Sequence, residues 1–255
     1  MLFKEIRYQK IQEIIYNDGK ADVEELAKKF GVSEITIRRY LNTMVQKGLI
    51  ERTHGGAILA KDRNLLQSPI LMRLYEQVEE KRAIARAVVK MLKRNEKIYI
   101  AAGTTTYWVA KAITDRSGLT VITNSLPVAN LISSSKELEV IVVGGFIRRN
   151  EYSLIGHFAE NMLRDLRLDK VIMGIGGIHP EYGLTNEYIQ EVMMDRSYMN
   201  ISDNIIVVAD HTKIGRVCAS RTADVTAARI VITYQLAPQD MVERIRQCGV
   251  EVIMV

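Results

Sequence analysis

Three short apolar stripes at helical spacing open the chain, and beyond residue 95 the pattern changes to compact apolar runs a few residues long. Tyr8, Ile11, Ile14 and Ile15 predict a first amphipathic helix, stopped at Asn17-Asp18-Gly19. Asp22 can cap a second helix while Glu25 reaches back, a D-x-x-E capping box, with Val23, Leu26, Ala27 and Phe30 on its buried side. Gly31 suits a left-handed turn because it carries no Cβ. Ser33 caps a third helix whose inner stripe is Ile37, Leu41, Met44 and Val45, and Gly48 ends it. A small residue, a turn glycine and a branched apolar residue, here Ala27, Gly31 and Ile37, are what two closely crossing helices need, so residues 22–48 read as a helix-turn-helix. Short strand-like runs at Leu49–Thr53 and Ala57–Leu59, around His54-Gly55-Gly56, add a hairpin wing.

Residues 61–95 read as a linker, with Pro69 near the join, followed by a long helix striped by Ile84, Ala87, Val88 and Leu92. Strand-like runs then follow at Lys97–Ala101, Leu119–Thr123, Glu139–Val143, Lys170–Gly174, Asn204–Ala209, Ala228–Thr233 and Glu251–Val255, with helical patterns between most of them. Such alternation predicts a mostly parallel, Rossmann-like sheet covered on both faces. The expected organisation is a winged helix-turn-helix over residues 1–60, a linker over 61–80 and a larger α/β domain over 81–255.

Composition narrows the classes. At 47% hydrophobic and 25% charged residues the chain can bury a proper core. Its net charge of +5 permits an anionic partner without requiring one. No apolar run approaches the ~18 residues of a membrane span, and MLFKEIRYQK lacks the features of a signal peptide. Cys218 and Cys248 have no metal or redox spacing, and His54, His157, His179 and His211 are scattered, so neither a metal site nor a disulfide is expected, and a cytoplasmic location is. Trp108 and the eleven methionines are expected to pack in the core.

With Ile37, Leu41, Met44 and Val45 inward, Glu34, Thr36, Arg38, Arg39, Asn42 and Thr43 face largely outward. In a helix-turn-helix that outer surface enters the DNA major groove. Arginine can grip guanine N7 and O6 with two bonds, while other cations hold phosphates. Lys28, Lys29, Arg38, Arg39, Lys47 and Arg52 cluster on the turn, third helix and wing, which favours DNA over a merely solvated helix face. Arg52 and His54 on the wing are placed for a phosphate or the minor groove.

Ligands of open parallel sheets bind beyond the carboxyl ends of the strands. The runs there are Gly103-Thr104-Thr105-Thr106, Asn124-Ser125, Gly144-Gly145, Gly176-Gly177 and Asp210-His211-Thr212-Lys213. Small and hydroxyl residues at a strand-to-helix turn leave backbone N–H groups facing an anion. Lys213 could neutralise a phosphate, and Asp210 or Glu187 could hold sugar hydroxyls. Together they predict a small-molecule pocket.

These motifs resemble the DeoR family of bacterial transcriptional regulators nearly end to end. VSEITIRRYLNTMVQKGLIERTHGGA is similar to that family's helix-turn-helix and wing. AAGTTT, TNS, VVGG, Ser153 with Gly156, GIGGI, GLT and ADHTKIG resemble its sugar-phosphate sensor. The resemblance implies an oligomeric repressor of carbohydrate-metabolism genes that releases its operator when a phosphorylated sugar or related metabolite binds, with no further cofactor. It also implies a sensor fold like ribose-5-phosphate isomerase and CoA-transferase domains. Carried over by position, Gly103, Thr104, Thr105 and Thr106 would cradle phosphate, and Asn124, Ser125, Gly144, Ser153 and Lys213 would line the pocket. The DNA-contacting set becomes Lys28, Ser33, Glu34, Thr36, Arg38, Arg39, Tyr40, Asn42, Arg52 and His54. Tyr40 stands where the family commonly has Asp, and is expected to hydrogen-bond a phosphate. Ala101 and Gly176 stand where carboxylates or amides are common, and His211 and Thr212 replace frequent serines, which implies an unusual effector or weaker selectivity.

Two other classes compete. A sugar-phosphate isomerase with an accessory helix-turn-helix would need a carboxylate base with an electrophilic partner, such as Glu187 or Glu191 with Lys213. A sensor acting through protein partners would not bind DNA at all. A regulator reading two half-sites is expected to be at least dimeric.

Overall fold

The computed structural model describes residues 7–8, 10–11, 14–15, 19–46, 50–59, 70–74 and 76–255. Asn17, Asp18, Lys47, Gly48, Leu49, Pro69 and half of the segment expected to link the domains lie outside them. The chain divides into two compact units, residues 1–76 and 77–255.

In the first unit, Ile11 and Ile15 occupy helical positions and are fully buried. Helix α1 (Val23–Phe30) and helix α2 (Glu34–Gln46) follow, and the wing is built from β2 (Ile50–Arg52) and β3 (Gly56–Leu59). A strand not expected from the sequence, β1 (Lys20–Asp22), pairs antiparallel with β3, giving the order β1-β3-β2. Three residues are too few to show a period of two. Gly56 belongs to this pairing rather than to the hairpin turn: a Cβ there would stand 1.9 Å from the Ala21 carbonyl oxygen. Gly55 O accepts the Val23 N–H at 3.0 Å, tying the wing tip to the start of α1. Val23, Leu26, Ile37, Leu41, Met44, Ile50 and Ala57 close the core with the first-helix isoleucines.

The second unit begins with helix α3 (Val78–Met91), preceded by Gln77 in the left-handed region at φ 51°. The helix therefore takes in the last three residues of the expected linker. All seven predicted strands form, within two residues of their expected ends: β4 (Lys97–Ile100), β5 (Leu119–Thr123), β6 (Leu138–Val142), β9 (Lys170–Met173), β12 (Ile205–Val208), β14 (Ile230–Thr233) and β15 (Glu251–Met254). They make one parallel sheet in the order β6-β5-β4-β9-β12-β14-β15. Central runs such as KVIM, IIVV and IVIT are buried throughout, as a sheet covered on both faces requires.

Helices α4 (Thr104–Ala112), α5 (Leu126–Ile132), α6 (His157–Arg164), α7 (Ile189–Met199) and α8 (Gln239–Gln247) complete the layers. Tyr99, Val171, Met173 and Val207 form one core with Leu163, Met194, Tyr198, Val242 and Ile245 from α6, α7 and α8. Trp108 is buried, with the Arg82 guanidinium 4.8 Å and the Lys111 amine 4.7 Å from its ring centre. Met162 and Met193 are exposed, against the expectation that the methionines pack inside. Also unforeseen were the hairpin β7 (Phe146–Arg148) with β8 (Ser153–Ile155), and a small antiparallel sheet of β10 (Gly177–His179), β11 (Gly183–Asn186) and β13 (Ser220–Ala223).

From β4 the chain runs outward through β5 to β6, and from β9 it runs the other way through β12 and β14 to β15. Between β4 and β9 the order reverses, which opens a crevice at the carboxyl edge of the sheet.

Candidate nucleic-acid interface and effector site

The helix-turn-helix is set by local hydrogen bonding. Asp22 Oδ1 accepts the Glu24 and Glu25 N–H groups at 2.8 and 3.2 Å, capping α1. Gly31 takes φ 61°, and its N–H donates to Lys28 O at 3.4 Å, while Val32 N–H reaches Ala27 O at 3.1 Å. Ser33 Oγ accepts the Thr36 N–H at 3.3 Å, so its hydroxyl serves as the cap of α2.

On α2 the fully enclosed residues are Ile37, Leu41 and Met44, joined by Tyr40 at 4% exposure. Tyr40 therefore lies on the core side, its ring edge-on to Tyr8 at 6.1 Å, and is not a groove contact. The reason was legible: residues 37, 40, 41 and 44 fall at i, i+3, i+4 and i+7. Glu34, Arg38, Arg39 and Asn42 are exposed, and Thr36 is half-buried. Glu34 Oε2 holds the Arg38 guanidinium at 3.1 Å. Ile35 shares this face and is 79% exposed, yet it was absent from the expected set. Lys28 pairs with Glu24 at 2.7 Å, a solvated bond of small worth, which raises the amine's pKa above the usual lysine value. Arg52 and His54 are exposed on the wing.

At the sheet edge, α4 starts directly beyond β4, and its first-turn N–H groups have no intrahelical acceptor. Gly103 adopts φ 154°, with Thr104 half-buried beside it. Thr106 is fully enclosed and its hydroxyl donates to Gly103 O at 3.0 Å, while Thr105 is 6% exposed. These two buried threonine side chains therefore lie behind the loop.

Asn124, Ser125 and Ser153, expected to line the pocket, are braces as well. Asn124 Oδ1 accepts the Ala102 N–H at 3.1 Å, and its Nδ2 donates to Leu154 O at 3.1 Å. Ser125 Oγ caps α5 by accepting the Val128 N–H, and Ser153 bridges to Ser125 across the strands. All three are at most 3% exposed, and Asn124 is the one that supports the Ala102-Gly103 turn directly. Gly144 stands open, with nothing within 4 Å of where a Cβ would lie, and Glu187 is half-buried after β11.

Asp210 follows β12 and is 5% exposed. Its Oδ1 accepts the Thr212 N–H at 3.1 Å and the Thr212 hydroxyl. Burial pushes this carboxyl up, but the Lys213 charge, the Thr212 bonds and the Lys81 charge outweigh it and hold the pKa below the usual carboxylate value. Lys213 is half-buried, and its N–H donates to Asp210 O at 3.1 Å. Since β4, β9 and β12 are parallel neighbours, residues 101–104, 174–176 and 209–213 share one edge.

Two groups there escaped sequence reasoning. Glu80 and Lys81, on the first turn of α3, are buried, and Glu80 binds His211. Both continue the stripe of Ile84 and Val88 at i−3 and i−4, a charged extension of an apolar face that was the available signal. The second is a network under the small sheet. Asn186 Oδ1 accepts the Gly176 N–H at 2.7 Å, and its Nδ2 donates to Asp195 Oδ2 at 2.5 Å. Asp195 also accepts the Tyr198 hydroxyl. Burial and the nearby Glu191 push the Asp195 carboxyl up to about 8, against the Tyr198 and Asn186 bonds and the Arg148 charge. Arg148 pairs with Glu191 at 2.9 Å and lies 4.4 Å over the Tyr188 ring.

Residues 7–63 match the DeoR-like helix-turn-helix domain, and residues 76–235 match the DeoR C-terminal sensor domain. The chain is 32% identical to the HTH-type transcriptional repressor CsqR of Escherichia coli K12, across 97% of this chain and 94% of that protein. It is 35% identical to the glycerol-3-phosphate regulon repressor of the same strain, across 82% of each.

The chain belongs to the DeoR family. It is a DNA-binding transcriptional regulator of that family. A ribose 5-phosphate isomerase A from Methanocaldococcus jannaschii is similar at 14% identity over 54% of this chain and 55% of that one, with a TM-score of 0.41.

Departures from the DeoR pattern acquire physical reasons. Tyr40 places a buried ring at its position. At Gly176 the Asn186 amide occupies the space a side chain would take: a Cβ would lie 2.7 Å from Asn186 Oδ1. His211 gives the 210–213 turn a partner for Glu80 that serine could not reach in the same way.

Proposed function

We propose that this DeoR-family protein is a repressor of carbohydrate-metabolism genes whose operator binding is relieved by a phosphorylated sugar or related metabolite. The observation that carries the reading is the asymmetry of α2. One side closes the core through Ile37, Tyr40, Leu41 and Met44, and the other presents Glu34, Arg38, Arg39 and Asn42 to solvent. A helix so divided can enter a major groove without unfolding anything. The relatives named as repressors, one of them of a glycerol-3-phosphate regulon, support the direction of regulation and the kind of effector.

The effector's phosphate sits against the first turn of α4 and Lys213, where backbone donors and a cation meet. Glu187 is the acid assigned to the hydroxyls in this reading, because Asp210 is already committed to Thr212. No cofactor takes part. Catalysis is disfavoured because Glu191, a candidate base, is tied to Arg148. The protein works in the cytoplasm as a homo-oligomer reading paired half-sites. Among the described residues no helix is long and apolar enough to cross a membrane.

Gel shifts with DNA upstream of its own gene, repeated with a panel of sugar phosphates, test the reading. Specific binding released by one phosphorylated member is the expected result. Turnover of a pentose or hexose phosphate in a coupled assay would instead establish the isomerase alternative.

A further inference from the structure

We propose that Ile35 is a specificity-determining residue that reads the 5-methyl group of a thymine in each operator half-site. The inference rests on the DNA-binding reading and deepens it. Successive helical residues turn by about 100°, so the buried stripe of Ile37, Tyr40, Leu41 and Met44 defines a centre line, and Ile35 and Asn42 both fall almost opposite it. Arg38 and Arg39 flank them at i+3 and i+4 from Ile35. The middle of the groove-facing surface is thus apolar in the first turn of α2 and amide-bearing two turns later.

A lone exposed isoleucine is ordinary on a protein surface. This one differs by position, since it is 79% exposed at the N-terminal end of a recognition helix, the part nearest the base edges. Isoleucine can neither donate nor accept a hydrogen bond, so a polar base edge pressed against it loses water without compensation. The thymine methyl is the apolar group that the major groove offers. A β-branched side chain, stiff at χ1, meets that methyl with little further loss of freedom.

The test uses the full chain and duplexes enriched from a random DNA library. Each thymine of the enriched half-site is replaced in turn by uracil, which keeps the pairing and removes only the methyl. At one position the wild type should bind about fourfold more weakly, the value of one buried methyl-sized group. Ile35→Ala should bind the thymine duplex about as weakly as the wild type binds the uracil duplex, and should be indifferent to the exchange. The proposal is overturned if no thymine-to-uracil change weakens the wild type, if the half-site contains no thymine, or if Ile35→Ala keeps the full methyl effect. Failure to enrich any DNA would overturn the DNA-binding reading itself, before any methyl is removed.

Discussion

Glu80 holds His211 at three points: both carboxylate oxygens lie within 2.9 Å of the ring Nδ1, and one accepts the His211 N–H at 3.2 Å. Glu80 is 4% exposed and belongs to α3, the first long helix after the division at residue 76, whereas His211 belongs to the turn that carries Lys213. One side chain thus fastens the start of the second unit to its 210–213 turn. Glu80→Ala strands a half-buried imidazole and a backbone donor together, and should cost roughly 1–3 kcal/mol in urea unfolding. A variant as stable as the wild type would show that the contact contributes nothing.

The Asp195 carboxyl, at about 8, makes a prediction about pH. Below the unfolded value near 4, both states hold the proton and the site's contribution is fully present. Between about 4 and 8 the unfolded chain releases the proton while the folded chain retains it, so stability falls as pH rises. Asp195→Asn cannot ionise, and its amide will misfit the Tyr198 or Asn186 donor at every pH. Its stability should therefore be lower at pH 5 but decline less than that of the wild type towards pH 8. Parallel stability curves for the two proteins across that range would refute the shift.

On the reading face, Arg39→Ala should weaken operator binding by about 1–3 kcal/mol if it grips a guanine. Lys28→Ala should weaken all sequences alike and reduce the salt slope by roughly one. Filter binding between low and physiological salt separates the two roles. Equal, sequence-independent losses in both variants would demote Arg39 to a phosphate contact.

The parallel strands were legible because a strand buried on both faces must be apolar throughout, and KIYI, KVIM and IIVV are so nearly apolar that they read as strands without their partners. β1 and the β10-β11-β13 sheet were not, since KAD, GIH, GLTN and SRTA carry no apolar run and take their structure from their pairing partners. Tyr40 was readable and missed: its phase with Ile37 and Met44 outweighs its hydroxyl. The roles of Asn124, Ser125 and Ser153 were not readable, because an amide or hydroxyl at a strand end looks the same in sequence whether it faces a ligand or a neighbouring carbonyl.

Glycines at the same sheet edge should respond differently to alanine. Gly144 has open space where the Cβ would go, so Gly144→Ala should stay within about 0.5 kcal/mol of the wild type. At Gly176 the same Cβ meets Asn186 Oδ1 at 2.7 Å and the Thr185 carbonyl oxygen at 3.1 Å. Gly176→Ala must push Asn186 away from Asp195, and should lower the melting temperature clearly. Equal melting temperatures for the two variants would contradict the packing described.

Lys213 offers the test of the switch. Its charge already lowers the Asp210 pKa, and it stands half-buried on the edge shared with the α4 turn. A phosphate ester bound there would gain a charge-assisted bond, so Lys213→Ala should weaken the stabilising ligand by about tenfold or more. Operator affinity without ligand should stay unchanged, because the residue lies in the second unit and α2 in the first. A ligand alters DNA binding only by its differential affinity for the two states. The variant should therefore remain bound to its operator at sugar-phosphate concentrations that release the wild type. Release at the same concentration, or loss of DNA binding in the absence of ligand, would mean that Lys213 is not the phosphate contact.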